Sequence, residues 1–147
     1  MASVETYIQK LQSINVDTLT DAIIKDKQTE LVDVNIENLA DGKNYEGKVV
    51  GVYSQLTEDI AKLENPLLPK KAGERYNFVW SGDLISNIFV SLRGNKLIYD
   101  STGKGTGDKL GFVNKNKLLG VENNKSEHVN KKIMLPEYRK RIKNALG

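Results

Sequence analysis

The segment Tyr76-Asn77-Phe78-Val79-Trp80-Ser81-Gly82-Asp83, running into the apolar stretch Leu84 to Leu92, constrains this chain more than any other. An aromatic, strand-like run passes into a polar turn and out into a second strand around Ile88 to Leu92. Arg93-Gly94-Asn95 then supplies a hairpin signal before Lys96 to Tyr99 returns. The expected class is α+β, a small antiparallel sheet with a long hairpin packed against N-terminal and C-terminal helices. Leu110 to Val113 is expected to add another strand.

Helical spacing frames that sheet. Val4, Tyr7, Ile8, Leu11 and Ile14 form one stripe with Ser3 as a cap. A Thr18 to Asp21 capping-box spacing opens a second helix, with Leu19, Ala22, Ile23 and Leu31 on one face, ending near Asp26 to Glu30. Val32, Val34 and Ile36 alternate with Asp33, Asn35 and Glu37, the period of a half-exposed strand, and Val49 to Val52 reads as an edge strand beyond a turn-rich loop. A helix is expected from Ser54 with Leu56, Ile60 and Leu63 inward, halted at Asn65-Pro66. Val129 and Ile133, then Tyr138, Ile142, Ala145 and Leu146 after Pro136, predict a closing helix.

Proline and lysine from Pro66 to Glu74 form a connector, since neither side alone holds enough elements for its own core, and residues 1–147 are expected to form a single domain. A chain of 147 residues buries roughly two-thirds of its unfolded surface. No cysteine is present, which excludes disulfides, thiolate metal sites and cysteine nucleophiles. No signal-peptide pattern and no run of about 20 apolar residues occurs, so a soluble, unexported protein with no membrane role is expected.

Charge is unevenly placed. Residues 1–66 hold 6 Lys/Arg against 12 Asp/Glu, residues 67–113 hold 7 against 4, and residues 114–147 hold 9 against 3. An acidic first half and a basic last quarter suit intramolecular packing or a head-to-tail contact between copies, with nucleic-acid phosphates as the rival partner and ordinary solvated faces as the plain account. The basic residues offered for a subunit or DNA contact are Lys131, Lys132, Arg139, Lys140, Arg141 and Lys143.

No catalytic, cofactor-binding or metal-binding set emerges, and a non-enzymatic role without cofactor is expected. Gly103, Lys104, Gly105, Thr106 and Gly107 superficially suggest a phosphate cradle, but Asp108 stands where a P-loop needs lysine. They read instead as a flexible loop able to order against a neighbouring subunit. His128 is the single histidine, in a polar run, and reads as solvated surface; Ser81 lacks a nucleophile-elbow context. Glu58 and Asp59 sit at a helix start, where they favour the dipole without catalytic purpose.

The pattern Ser81-Gly82-Asp83-Leu84, Ile88-Phe89-Val90, the turn at Gly94, Lys96 to Tyr99 and a late Leu135-Pro136 before a helix resembles tailed-phage virion morphogenesis proteins, the neck and tail-completion proteins. Asn35 to Gly42, the Gly47 loop and Tyr53-Ser54 with Thr57 also look like small structural proteins of phages and prophages of Bacteroides-type bacteria. Where that pattern has Arg-Pro-Phe, this chain has Met134-Leu135-Pro136-Glu137-Tyr138. The resemblance spans roughly residues 32 to 146. It implies a viral structural protein for virion assembly, a head-tail connector or tail terminator subunit. The implied partners are neck, connector or tail proteins, with a homo-oligomeric ring when assembled. The implied location is the virion, and the bacterial host cytoplasm during assembly.

Overall fold

The computed structural model describes residues 2–103, 118–121 and 123–147. Short polar side chains start three of its helices by accepting otherwise free backbone N–H groups. Ser3 Oγ accepts from Thr6 N at 3.3 Å and opens α1, Val4–Ser13. Asn15 Oδ1 accepts from Thr18 N at 3.0 Å and opens α2, Val16–Asp26, so the cap lies three residues before the expected Thr18. Ser54 Oγ accepts from Thr57 N at 3.2 Å and opens α4, Gln55–Glu64, which stops at Asn65 before Pro66.

Between them runs α3, Gln28–Ala40, where alternation predicted a strand. Its buried residues are Leu31, Val32, Asn35, Asn38 and Leu39, a helical stripe in which two positions are asparagine. Asn35 Nδ2 donates to the Gly120 carbonyl at 2.8 Å, and Asn38 Oδ1 accepts from Lys125 Nζ at 2.9 Å. These buried amides interrupt the apolar signature of the stripe, and the chance alternation of Val32, Val34 and Ile36 took its place.

A second correction falls on Val49 to Val52 and Tyr76 to Trp80. Neither is a ladder strand; they meet only near the isolated bridge Val52–Arg75, with Tyr76 N donating to the Gly51 carbonyl at 3.2 Å. Asn77 breaks the run. Its Oδ1 accepts from Val79 N at 3.1 Å, an Asx turn that bends the chain across Phe78, whose φ of 55° is left-handed. The bend drops the Phe78 ring into the core. A short helix, α5 (Asp83–Ser86), follows, with Leu84 buried.

The hairpin forms as read. β1 (Ile88–Arg93) and β2 (Lys96–Ser101) pair antiparallel, Val90 opposite Tyr99 and Arg93 opposite Lys96, across a two-residue turn in which Gly94 takes φ 62°. A lone hairpin is marginal in water. Here Ile88 and Val90 pack into the cluster built from Ile23 and Ile24 of α2, Leu31 and Leu39 of α3, and Leu118 and Leu119. The expected strand at Leu110 to Val113 lies outside the described residues.

The C-terminal segment is helical from Asn123 to Leu146: α6 (Asn123–His128), a wider π segment (Val129–Met134) and α7 (Leu135–Leu146). Pro136 explains the widening. It brings no N–H for the carbonyl four residues back, and Leu135 N reaches the Asn130 carbonyl, five residues back. Val129, Ile133 and Met134 gain core positions from this turn. Thr20 Oγ1 and the Tyr138 hydroxyl bond across α2 and α7. The fold is thus α+β: among the described residues, a two-stranded antiparallel hairpin is held between N-terminal and C-terminal helices.

Candidate interaction surface

Helix α4 faces the wrong way for a core helix. Its covered positions are Thr57, Glu58 and Ala61, with Ala61 at 0% exposure, while Leu56 and Leu63 are 68% and 85% exposed and Ile60 is 36%. The stripe expected inward therefore points to solvent. Ala61 has little volume and lets the backbone approach the body closely; the leucines lie on the opposite side of the helix. Leu67, 90% exposed, continues the stripe beyond the helix end.

Polar contacts hold the connector that carries Leu67. Ala72 N donates to Glu58 Oε2 at 2.8 Å, and that bond, then Lys62, holds the Glu58 carboxyl below the usual carboxylate range. Asn65 Nδ2 donates to the Trp80 carbonyl. Lys70 is buried, with Nζ donating to Asn77 Oδ1 at 2.9 Å and lying 5.5 Å from the Tyr53 ring centroid. The Tyr53 hydroxyl donates to the same Asn77 oxygen at 2.8 Å and accepts from Asn77 N at 2.9 Å. Burial pushes the Lys70 ammonium down and the Tyr53 phenol up. One asparagine oxygen thus gathers a hydroxyl, an ammonium and a backbone amide.

Helix α1 repeats the inversion more weakly. Thr6 and Lys10 are its half-buried residues, and Lys10 Nζ donates to the Leu146 carbonyl at 2.9 Å, placing α1 against the end of α7. Val4, 70% exposed, leads the stripe of Tyr7, Ile8 and Leu11 on the outside, and no residue of α1 is buried. Scattered surface leucines are ordinary; here the exposed apolar residues of each helix fall on one side of it, which makes these faces the candidate interaction surface.

The basic residues divide into two sets. Arg141 turns toward the body, bonding Asp26 of α2 and lying 3.6 Å from Glu137, and Lys131 pairs with Glu127 at 2.5 Å. Lys132, Arg139, Lys140 and Lys143 are exposed. Of the glycine loop, Gly103 is buried: a Cβ there would stand 2.4 Å from the Asp83 carbonyl oxygen, so only glycine permits this approach of β2's exit to α5. Lys104, Gly105, Thr106 and Gly107 lie outside the described residues.

His128 is exposed at the end of α6. Among the described residues no group of three or more His, Asp or Glu side chains converges, and no helix is long and apolar enough to cross a membrane. A groove of about 470 Å³ between α3 and α5 is lined by Val32, Ile36, Val79, Ile85 and Ile88, with Asp33 its one charged lining residue. Sequence reading missed the outward sense of α4 and the Lys70–Asn77–Tyr53 cluster. The small residue Ala61, opposite Leu56 and Leu63 on the helix wheel, was the available signal for the first. No protein-family model, curated protein or solved structure matches the chain.

Proposed function

We propose that this chain is a structural subunit of a tailed-phage virion, at the neck or the tail end, acting through protein–protein contacts rather than by catalysis. The outward apolar stripe of α4, Leu56, Ile60 and Leu63 continued by Leu67, is the observation that carries the protein–protein part of this reading. Leaving that much leucine in water is unfavourable by about 25 cal/mol per Å² unless another surface covers it. The phage setting rests on the resemblance of the Ser81 to Tyr99 region and the Leu135-Pro136 helix. Deleting the coding sequence from the phage genome that carries it, followed by electron microscopy, tests the whole reading. Unjoined heads and tails, restored by the wild-type chain in trans, are expected; intact infectious particles overturn it.

The exposed Lys132, Arg139, Lys140 and Lys143 favour a second reading, phosphate contact with DNA. It requires duplex or single-stranded DNA binding that weakens steeply between two salt concentrations, and absence of such binding removes it.

A further inference from the structure

We infer that the cleft between the hairpin turn and the C-terminal helical run binds a nucleoside monophosphate, its phosphate held by Arg93 and Lys96 and its base lying against Tyr45. The cleft encloses about 1030 Å³, and among the described residues no Asp or Glu lines it. Arg93 and Lys96 stand directly opposite each other across the two-residue turn, and both line the cleft. Like charges facing each other in this way oppose strand pairing. Among the described residues neither side chain has a hydrogen-bond or ion-pair partner to offset that. A phosphate monoester carries a charge of about −1.5 to −2 at pH 7, and so matches the two cations better than a single carboxylate does.

The rest of the wall suits the body of such a ligand and is too large for a bare anion. Leu119, Val121 and Val129 supply apolar surface. Asn95, Ser126 and Asn130 supply amide and hydroxyl groups that carry no side-chain hydrogen bond among the described residues. A flat heterocycle with donors and acceptors on its edge satisfies both, whereas an acyl chain would leave the three polar groups unmet. The Tyr45 hydroxyl donates to Glu46 Oε1 at 3.2 Å, and Lys48 meets that carboxylate at 2.9 Å, so the ring is what Tyr45 offers a ligand. Gly120, at φ 146°, admits Tyr45 to this wall: a Cβ there would stand 3.0 Å from Tyr45 Cβ. Buried Asn35 holds the Gly120 carbonyl, and Tyr99 is pinned by donating to the Leu31 carbonyl at 3.1 Å. The wall is therefore built before a ligand arrives, which spares binding the cost of ordering it. None of its residues belongs to α4 or to the basic set of α7, so the cleft stands apart from the assembly surface.

Isothermal titration calorimetry of the full chain with adenosine, guanosine, cytidine and uridine monophosphates should give at least one dissociation constant below about 1 mM. Inorganic phosphate and the matching nucleoside should each bind about tenfold or more weakly, because each fills only part of the cleft. Arg93→Gln with Lys96→Gln should weaken the nucleotide by about tenfold or more without lowering the urea midpoint, since both side chains are exposed. Arg139→Gln with Lys140→Gln removes the same charge elsewhere and should change nothing. Tyr45→Leu should weaken the nucleotide and leave inorganic phosphate as it was. Absence of any monophosphate binding below about 1 mM, inorganic phosphate binding as tightly as the nucleotide, or unchanged nucleotide affinity in the hairpin double variant or in Tyr45→Leu each overturns the site. A single-stranded oligonucleotide that binds where the mononucleotides do not also overturns it and assigns Arg93 and Lys96 to nucleic acid. The hairpin double variant should enter particles normally, so failure of the cleft and failure of the assembly reading are read from different measurements.

Discussion

The Gln28 side chain caps the free edge of the hairpin at Val90: Val90 N donates to Gln28 Oε1 at 2.5 Å, and Gln28 Nε2 donates to the Val90 carbonyl at 2.9 Å. One carboxamide copies the paired hydrogen bonds that a third strand would have made, from the first residue of α3. An open edge invites pairing with other chains, and here it is closed at its most buried point, Val90 being 3% exposed.

Replacing Gln28 by Ala strands both backbone groups of Val90. Each buried group left unpaired costs about 1–3 kcal/mol, so Gln28→Ala should lower stability by about 2–6 kcal/mol, read as a lower urea midpoint at unchanged slope. Gln28→Glu keeps the acceptor, loses the donor and should fall between. A midpoint for Gln28→Ala equal to wild type would show that Val90 finds other partners.

The hairpin was legible because Gly94-Asn95 sits between two runs of matching length, a local signal that tertiary packing did not need to alter. Helix starts at Ser3 and Ser54 were legible for the same reason. Helix α3 was not, since Asn35 and Asn38 occupy core positions and their cost is met only in part by Gly120 and Lys125, at least 85 residues away in sequence, with Asn35 Oδ1 and Asn38 Nδ2 left without a hydrogen-bond partner among the described residues. The direction of α4 was hidden too. Periodicity locates an apolar face, but whether that face meets this chain's core or another surface depends on what lies opposite it. The basic cluster divided for a similar reason, Arg141 finding Asp26 across the fold.

Lys70 gives the fold an alkaline dependence. Its folded value is lowered by burial from the ordinary 10.5. Between that lowered value and 10.5 the unfolded chain holds a proton that the folded chain has released, so stability rises with pH across the window. Tyr53, raised by burial above 10.0, acts in the opposite sense only above that pH. Unfolding free energy measured from about pH 8 to 10 should therefore climb in the wild type and climb less in Lys70→Met. At neutral pH that variant should lose little stability, because Asn77 Oδ1 keeps the Tyr53 hydroxyl and Val79 N. Equal slopes would remove Lys70 as the source.

Asn77 itself should be far less replaceable. Asn77→Ala deletes the acceptor for Lys70, Tyr53 and Val79 together and releases the turn that places Phe78. A loss of about 3 kcal/mol or more is expected, with the Leu67 connector becoming open to proteolysis before the core does. Global unfolding without early cleavage at the connector would show that Asn77 serves the core alone.

The basic face offers a contrast between neighbours on one helix. Arg139, Lys140 and Lys143 changed together to Glu should alter the unfolding free energy by no more than about 0.5 kcal/mol per position, since these side chains are exposed, yet on the proposed function should abolish entry into particles. Arg141→Glu sets a carboxylate against Asp26 and Glu137 and should act first on stability. Normal incorporation of the triple variant would take this basic face out of the proposed assembly.

Helix α1 should be the least protected helix of the isolated chain. Ten residues are too few to hold a helix by backbone hydrogen bonds alone. It buries no residue, and among the described residues its one side-chain hydrogen bond to another element is from Lys10 to the Leu146 carbonyl. Amide exchange should therefore run fast from Tyr7 to Ser13 and slow in α3, where Leu31 and Leu39 are fully buried. Exchange from Tyr7 to Ser13 as slow as in α3 would show that α1 is held by more than its contact with Leu146.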